Sequence, residues 1–164
     1  MDKFFSRITL KRTILFLIVV FVLMQLYRPN KNNGDYVVAD DFLEISNAPE
    51  DIKLLIKNSC YDCHSNYTNY EWYDNIAPIS WWIDKTVAKG KVAINFSEWE
   101  DTDPQKRLSF LSASVFDIKT DRMPTERYLK MHPSAKLSVE EKKKIIMWID
   151  DIDRFNPYYD INEH

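Results

Sequence analysis

"SCYDCHSNYTNYEW", residues 59–72, holds both cysteines of the chain and one of its three histidines, packed into the five positions Cys60–His64. The stretch before it, "PEDIKLLIKNSC", places Ile52, Leu55, Ile56 and Ser59 on one face of a helix with acids in its first turn. That helix runs directly into the cysteines, so the motif sits on a helical turn. The surrounding chain reads the same way. "APISWWIDKTVAKG" predicts a helix from near Pro78 that stops at Gly90. "DPQKRLSFLSASVFDIK" opens with Asp103 as N-cap and Pro104 in the first turn, then spaces Leu108, Leu111, Val115 and Ile118 along one face. "LSVEEKKKIIMWIDDI" carries a Ser138/Glu141 capping box and an apolar stripe of Val139, Ile145, Ile146, Ile149 and Ile152. No run of strand alternation and no internal repeat appears, so the expected class is all-α.

Composition narrows the chemistry. The 164 residues suffice for one domain with a core and a short appendage. Apolar residues make up 45% and aromatics 14%, which excludes a disordered chain. Gly34 and Gly90 are the only glycines, which argues against Gly-rich phosphate loops. Residues 1–27 carry Lys3, Arg7, Lys11 and Arg12 against Asp2, a balance of +3; the total of −3 leaves −6 for the remainder. An acidic main domain disfavours nucleic acid and suits a basic partner surface.

The N-terminus is of another kind. "TILFLIVVFVLMQLY", residues 13–27, is apolar apart from Gln25 and follows the basic flank "RITLKR". Fifteen helical residues reach only ~22 Å against a ~30 Å hydrocarbon core. Ile8, Leu10, snorkelling Lys11 and Arg12, and interfacial Tyr27 extend that reach. The expected arrangement is a basic cytoplasmic end (1–12), a single-pass signal-anchor (13–27), a linker (28–48), a helical domain (49–155) and an acidic tail (156–164). A cleaved signal is the alternative, although "MQLYRPNKNNGDY" offers no small-x-small cleavage site. Both place the main domain outside the cytoplasm, on the periplasmic side of a bacterial inner membrane. Within the linker, Tyr36–Val38 is expected to be a short extended piece.

Four chemistries use a Cys-x-x-Cys-His cluster. A disulfide across two residues is a small, strained loop. A thioredoxin-like pair expects a βαβ context, which the sequence lacks. Zinc wants four ligands, and the chain has no second cysteine pair. Covalent attachment of one haem c uses all three residues: Cys60 and Cys63 form thioethers with the two vinyl groups, and His64 is the proximal iron ligand. The other iron face has candidates in "TDRMPTERYLKMHPSA", residues 120–135. Met123 precedes Pro124 at a break between helices, so it projects from a loop; His132, before Pro133, is the alternative. Met147 and His164 read as helix packing and chain end. Trp81 and Trp82 are expected to line the haem pocket.

A haem-attachment motif, a downstream Met-Pro and an amphipathic last helix resemble a class I cytochrome c. "CYDCHSNYTNYEWYDNIAPISWWIDKTVAKGKVAINFSEW" and "MPTERYLKMHPSAKLS" more specifically resemble the haem-binding domain family of membrane-anchored proteins of Bacteroidetes-type bacteria, over residues 40–153. The resemblance implies covalent haem c on Cys60 and Cys63 with His64 axial, and Met123 at the family's Met-Pro position. Thr86 stands before Val87, where relatives often carry a histidine, so no role passes to that position. The expected function is one-electron transfer between membrane or periplasmic redox partners, without chemical change to a substrate. A haem sensor or small-ligand binder with a labile distal site, or a peroxidase-like enzyme using His132, remain the alternatives.

Overall fold

The computed structural model describes the backbone of residues 2–154 and the side chains of 9–152. Among these residues the regular structure is helical, with a single isolated bridge between Asn33 and Tyr67. The α-helices are α1 (Asp2–Met24), α2 (Phe42–Ile45), α3 (Glu50–His64), α4 (Ile79–Ala93), α5 (Pro104–Lys119), α6 (Glu126–Met131) and α7 (Val139–Arg154). The expected tail, 156–164, lies outside the described residues. The chain divides into two compact units, one of Met1–Lys31 with Asn69–Thr86, the other of Asn32–Thr68 with Val87–His164.

In the first unit, α1 leaves Leu15, Phe16, Leu17 and Val22 exposed. No helix of the described residues is long and apolar enough to cross a membrane, which departs from the span expected at 13–27. The polar interruption of that run has a structural partner. The Gln25 amide pairs with the Ala77 backbone in both directions, donating to its carbonyl at 3.2 Å and accepting from its N–H at 2.9 Å. Two residues on, the Trp81 indole donates to the Tyr27 carbonyl at 2.9 Å, and the rings meet edge to face at 5.9 Å.

The second unit contains the core. α7 packs on α5 and α3, burying Ile145 and Ile149 against Ile52, Ile56, Leu111 and Ile118. Most of the expected helix signals act as read. The Asp103 side chain accepts from the N–H groups of Gln105 and Lys106. Ser138 and Glu141 exchange side-chain-to-backbone bonds at 2.7 and 3.2 Å. Val139, expected in the buried stripe, is 76% exposed, because it stands at the first position of α7, before that face meets its neighbours.

Two expectations change more deeply. The second half of the 28–48 segment is core rather than tether. Asp41, Phe42 and Leu43 are essentially fully buried, and the Asp41 carboxylate caps α2 by accepting from the Leu43 N–H at 2.9 Å. Phe42 is the hub of an aromatic cluster, 5.2 Å from Phe96, 4.6 Å from Trp99 and 5.4 Å from Trp148. The extended pairing falls at Asn33 rather than Tyr36–Val38, where Asn32 and Gly34 bond the strand-like turn after His64. Gly90 does not end its helix. α4 continues to Ala93, and a Cβ at Gly90 would lie 2.3 Å from the Cys63 carbonyl oxygen. The glycine is there because two helix backbones approach too closely for a side chain.

Candidate functional site

Helix α3 ends on the motif, so Cys60 and His64, four residues apart, lie on one face. That face opens into a cavity of about 130 Å³. Its walls are apolar for the most part: Phe42, Ile56, Ile94, Phe96, Phe110, Leu111, Ile118, Ile145 and Ile149. Cys60, His64 and Met123 open onto the same space, as do Ser59, Ser114 and Asp117.

His64 is oriented by backbone carbonyls at the end of α4. Its Nδ1 lies 3.2 Å from the Ile94 carbonyl oxygen, near the end of α4. A carbonyl only accepts, so Nδ1 carries the proton and Nε2 keeps its lone pair. Burial lowers the imidazole's pKa, against the raising influence of the Ile94 and Gly90 carbonyls and of Asp117, and so favours the neutral ring. This is the arrangement that a metal-ligating histidine uses: one nitrogen fixed by a backbone acceptor, the other free to coordinate.

Both thiols are free. Burial pushes Cys60 up to about 12 and Cys63 up to about 11, with the other thiol and Asp62 respectively adding to the shift. At neutral pH both are therefore S–H, poorly suited to metal or disulfide exchange. Cys63 is half-buried but does not border the cavity; its carbonyl is the group against which Gly90 packs.

Met123 falls where a loop residue was expected, between α5 and α6, with its N–H donating to the Asp117 carbonyl at 3.2 Å. Its side chain, 37% exposed, reaches the cavity that His64 borders. His132 does not. It caps the end of α6 and stacks on Tyr128 at 4.4 Å between ring centroids. Trp81 and Trp82 are also absent from the lining; Trp81 is engaged with Tyr27 instead. The aromatic lining is Phe42, Phe96 and Phe110. Phe42 was hidden by its place in a stretch that begins polar. Phe110, Ser114 and Asp117 do carry a signal, since they repeat at helical spacing on α5.

The donors fit the expected haem: an apolar chamber, an imidazole with its distal nitrogen free, a thioether from a separate loop, and thiols on the helix that supplies the imidazole. Among the described residues no group of three or more His, Cys, Asp or Glu side chains is arranged to hold a metal ion directly. A family model described as a haem-binding domain matches residues 19–151. No curated protein and no solved structure matches the chain.

Proposed function

The chain belongs to the haem-binding domain family, and from that premise we propose that it is a monohaem c-type electron carrier. Cys60 and Cys63 would hold one haem through thioethers, and His64 and Met123 would supply the ligands to its iron. A bound haem supplies a one-electron Fe(II)/Fe(III) couple. The protein's part would be to hold the His64 and Met123 side chains in place and to exclude water with the Phe42, Phe96 and Ile145 wall. Ligands that do not move between oxidation states keep reorganisation small.

The observation that carries this reading is the joint position of Cys60, His64 and Met123 on one apolar cavity, with the His64 proton tied to Ile94. The acidic balance of residues 28–164 favours a basic redox partner. The exposed apolar face of α1 behind Lys11 and Arg12 supports membrane attachment, with the haem-bearing part outside the cytoplasm.

Mass and absorption spectra of full-length protein from cells able to attach haem test the proposal. One haem mass should be covalently retained, and the Cys60→Ala/Cys63→Ala double variant should lose it. The iron should be low-spin with a methionine-to-iron charge-transfer band that Met123→Ala abolishes. Haem still covalently bound in the double variant refutes attachment. A high-spin ferric spectrum indifferent to Met123→Ala refutes the axial pair and favours a ligand-binding or sensing role.

A further inference from the structure

The two residues between the cysteines face away from the cavity, and both are tied down. The Tyr61 hydroxyl donates to the buried Asp41 carboxylate, at 2.8 and 3.1 Å from its two oxygens. That bond fixes the motif turn to the α2 cap and hence to the core. The Asp62 carboxylate accepts from the Tyr128 hydroxyl at 2.6 Å, and the Asp62 carbonyl accepts from Thr68 at 2.6 Å.

The Tyr128 bond runs to a different kind of element. α6 begins at Glu126, three residues after Met123, and none of its six residues is buried. It therefore gains little from apolar packing, and its position depends on polar contacts. The Thr125 hydroxyl accepts from the Tyr128 N–H at its start, which stiffens the turn itself. The Asp62 bond ties this turn itself to the cysteine-bearing helix, while Asn58 and Ser59 of the same helix hold the Ser134 and Ala135 carbonyls just beyond it. A hydrogen bond to a carboxylate is about twice as strong as a neutral one. On the other side of Met123, its own N–H is held by the Asp117 carbonyl. The methionine is thus suspended between two ties, one to α5 and one to the attachment helix.

We propose that the Tyr128–Asp62 bond is a clamp that positions Met123, so that Tyr128 and Asp62 set how firmly the distal ligand is held. The inference rests on Met123 being the distal ligand. A loop held in its binding geometry loses less conformational entropy when its side chain coordinates. Releasing the clamp raises the fraction of molecules with Met123 detached, and an external ligand then competes more easily.

The test uses full-length holoprotein and imidazole as the competing ligand, titrated by absorption. Tyr128→Phe removes one oxygen atom and should tighten apparent imidazole affinity by roughly tenfold, the scale of one charge-assisted bond. Asp62→Asn, which keeps the side chain's shape, should act in the same direction. The Tyr128→Phe/Asp62→Asn pair should fall short of additivity, because both changes break one contact. The methionine-to-iron band should weaken in each while covalent haem content stays constant. Imidazole affinity and band both equal to wild type in the two single variants overturn the clamp. A wild-type spectrum with no methionine band, unaffected by Met123→Ala, refutes the ligand assignment itself and the clamp with it.

Discussion

Replacing Gly90 with alanine should destabilise this protein, although glycine-to-alanine changes inside helices usually do the opposite. On propensity alone, alanine at a helix interior position gains ~1 kcal/mol. Here the new Cβ would sit 2.3 Å from the Cys63 carbonyl oxygen, 3.0 Å from its carbonyl carbon and 3.1 Å from its Cβ. The obstacle is backbone near the end of α3, one residue before His64, and it cannot rotate aside. Relief requires α3 and α4 to part by about 1 Å, an overpacking strain of ~1–3 kcal/mol. Subtracting the propensity gain leaves a net loss of up to ~2 kcal/mol. Gly34→Ala is the matched control, since its Cβ would meet Asn66 at 3.5 Å, an ordinary contact. Urea unfolding of the full-length protein, followed by circular dichroism, reads the change as a lower midpoint at constant slope. The same displacement moves the Ile94 carbonyl relative to His64, so haem-loaded protein should also show a perturbed spectrum. Gly90→Ala more stable than wild type would refute the close-approach argument.

Two further outcomes follow from the core. Burial raises the Asp41 pKa above the ordinary 3.8, against lowering contributions from Tyr61, the Leu43 N–H, Tyr36 and Lys57. The stability it contributes is full below 3.8 and is lost as pH rises through the raised folded value. The stability difference between Asp41→Asn and wild type should therefore grow in favour of the variant across that window, measured by urea midpoints at successive pH; a flat difference contradicts this. Phe42→Ala should cost ~3–5 kcal/mol and lower the fraction of protein loaded with haem, because the ring both centres the aromatic cluster and lines the cavity. Unchanged stability would show that the cluster refills the gap.

The helices were readable because their signals are local. Capping at Asp103 and Ser138, the acids opening α3, and the 3.6-residue stripes of α5 and α7 all act within a few residues of chain. The Cys60-x-x-Cys63-His64 spacing belongs to the same class, since a helix converts sequence separation directly into a shared face. The Met123 loop was legible because Pro124 prevents a helix from running through it.

What the sequence by itself determined, then, was an all-α chain carrying a Cys-x-x-Cys-His motif behind an apolar N-terminal helix. Tertiary structure decided which residues surround the site, because that depends on contacts between segments far apart in sequence. Proximity singled out Met123 over His132 at the cavity, and placed Phe42 rather than Trp81 or Trp82 in its wall. It turned Gly90 from an apparent helix stop into a helix crossing, and gave Tyr61 and Asp62, the motif's two unassigned letters, partners in α2's cap and in α6. Local periodicity records which face of a helix is apolar; it does not record what that face meets.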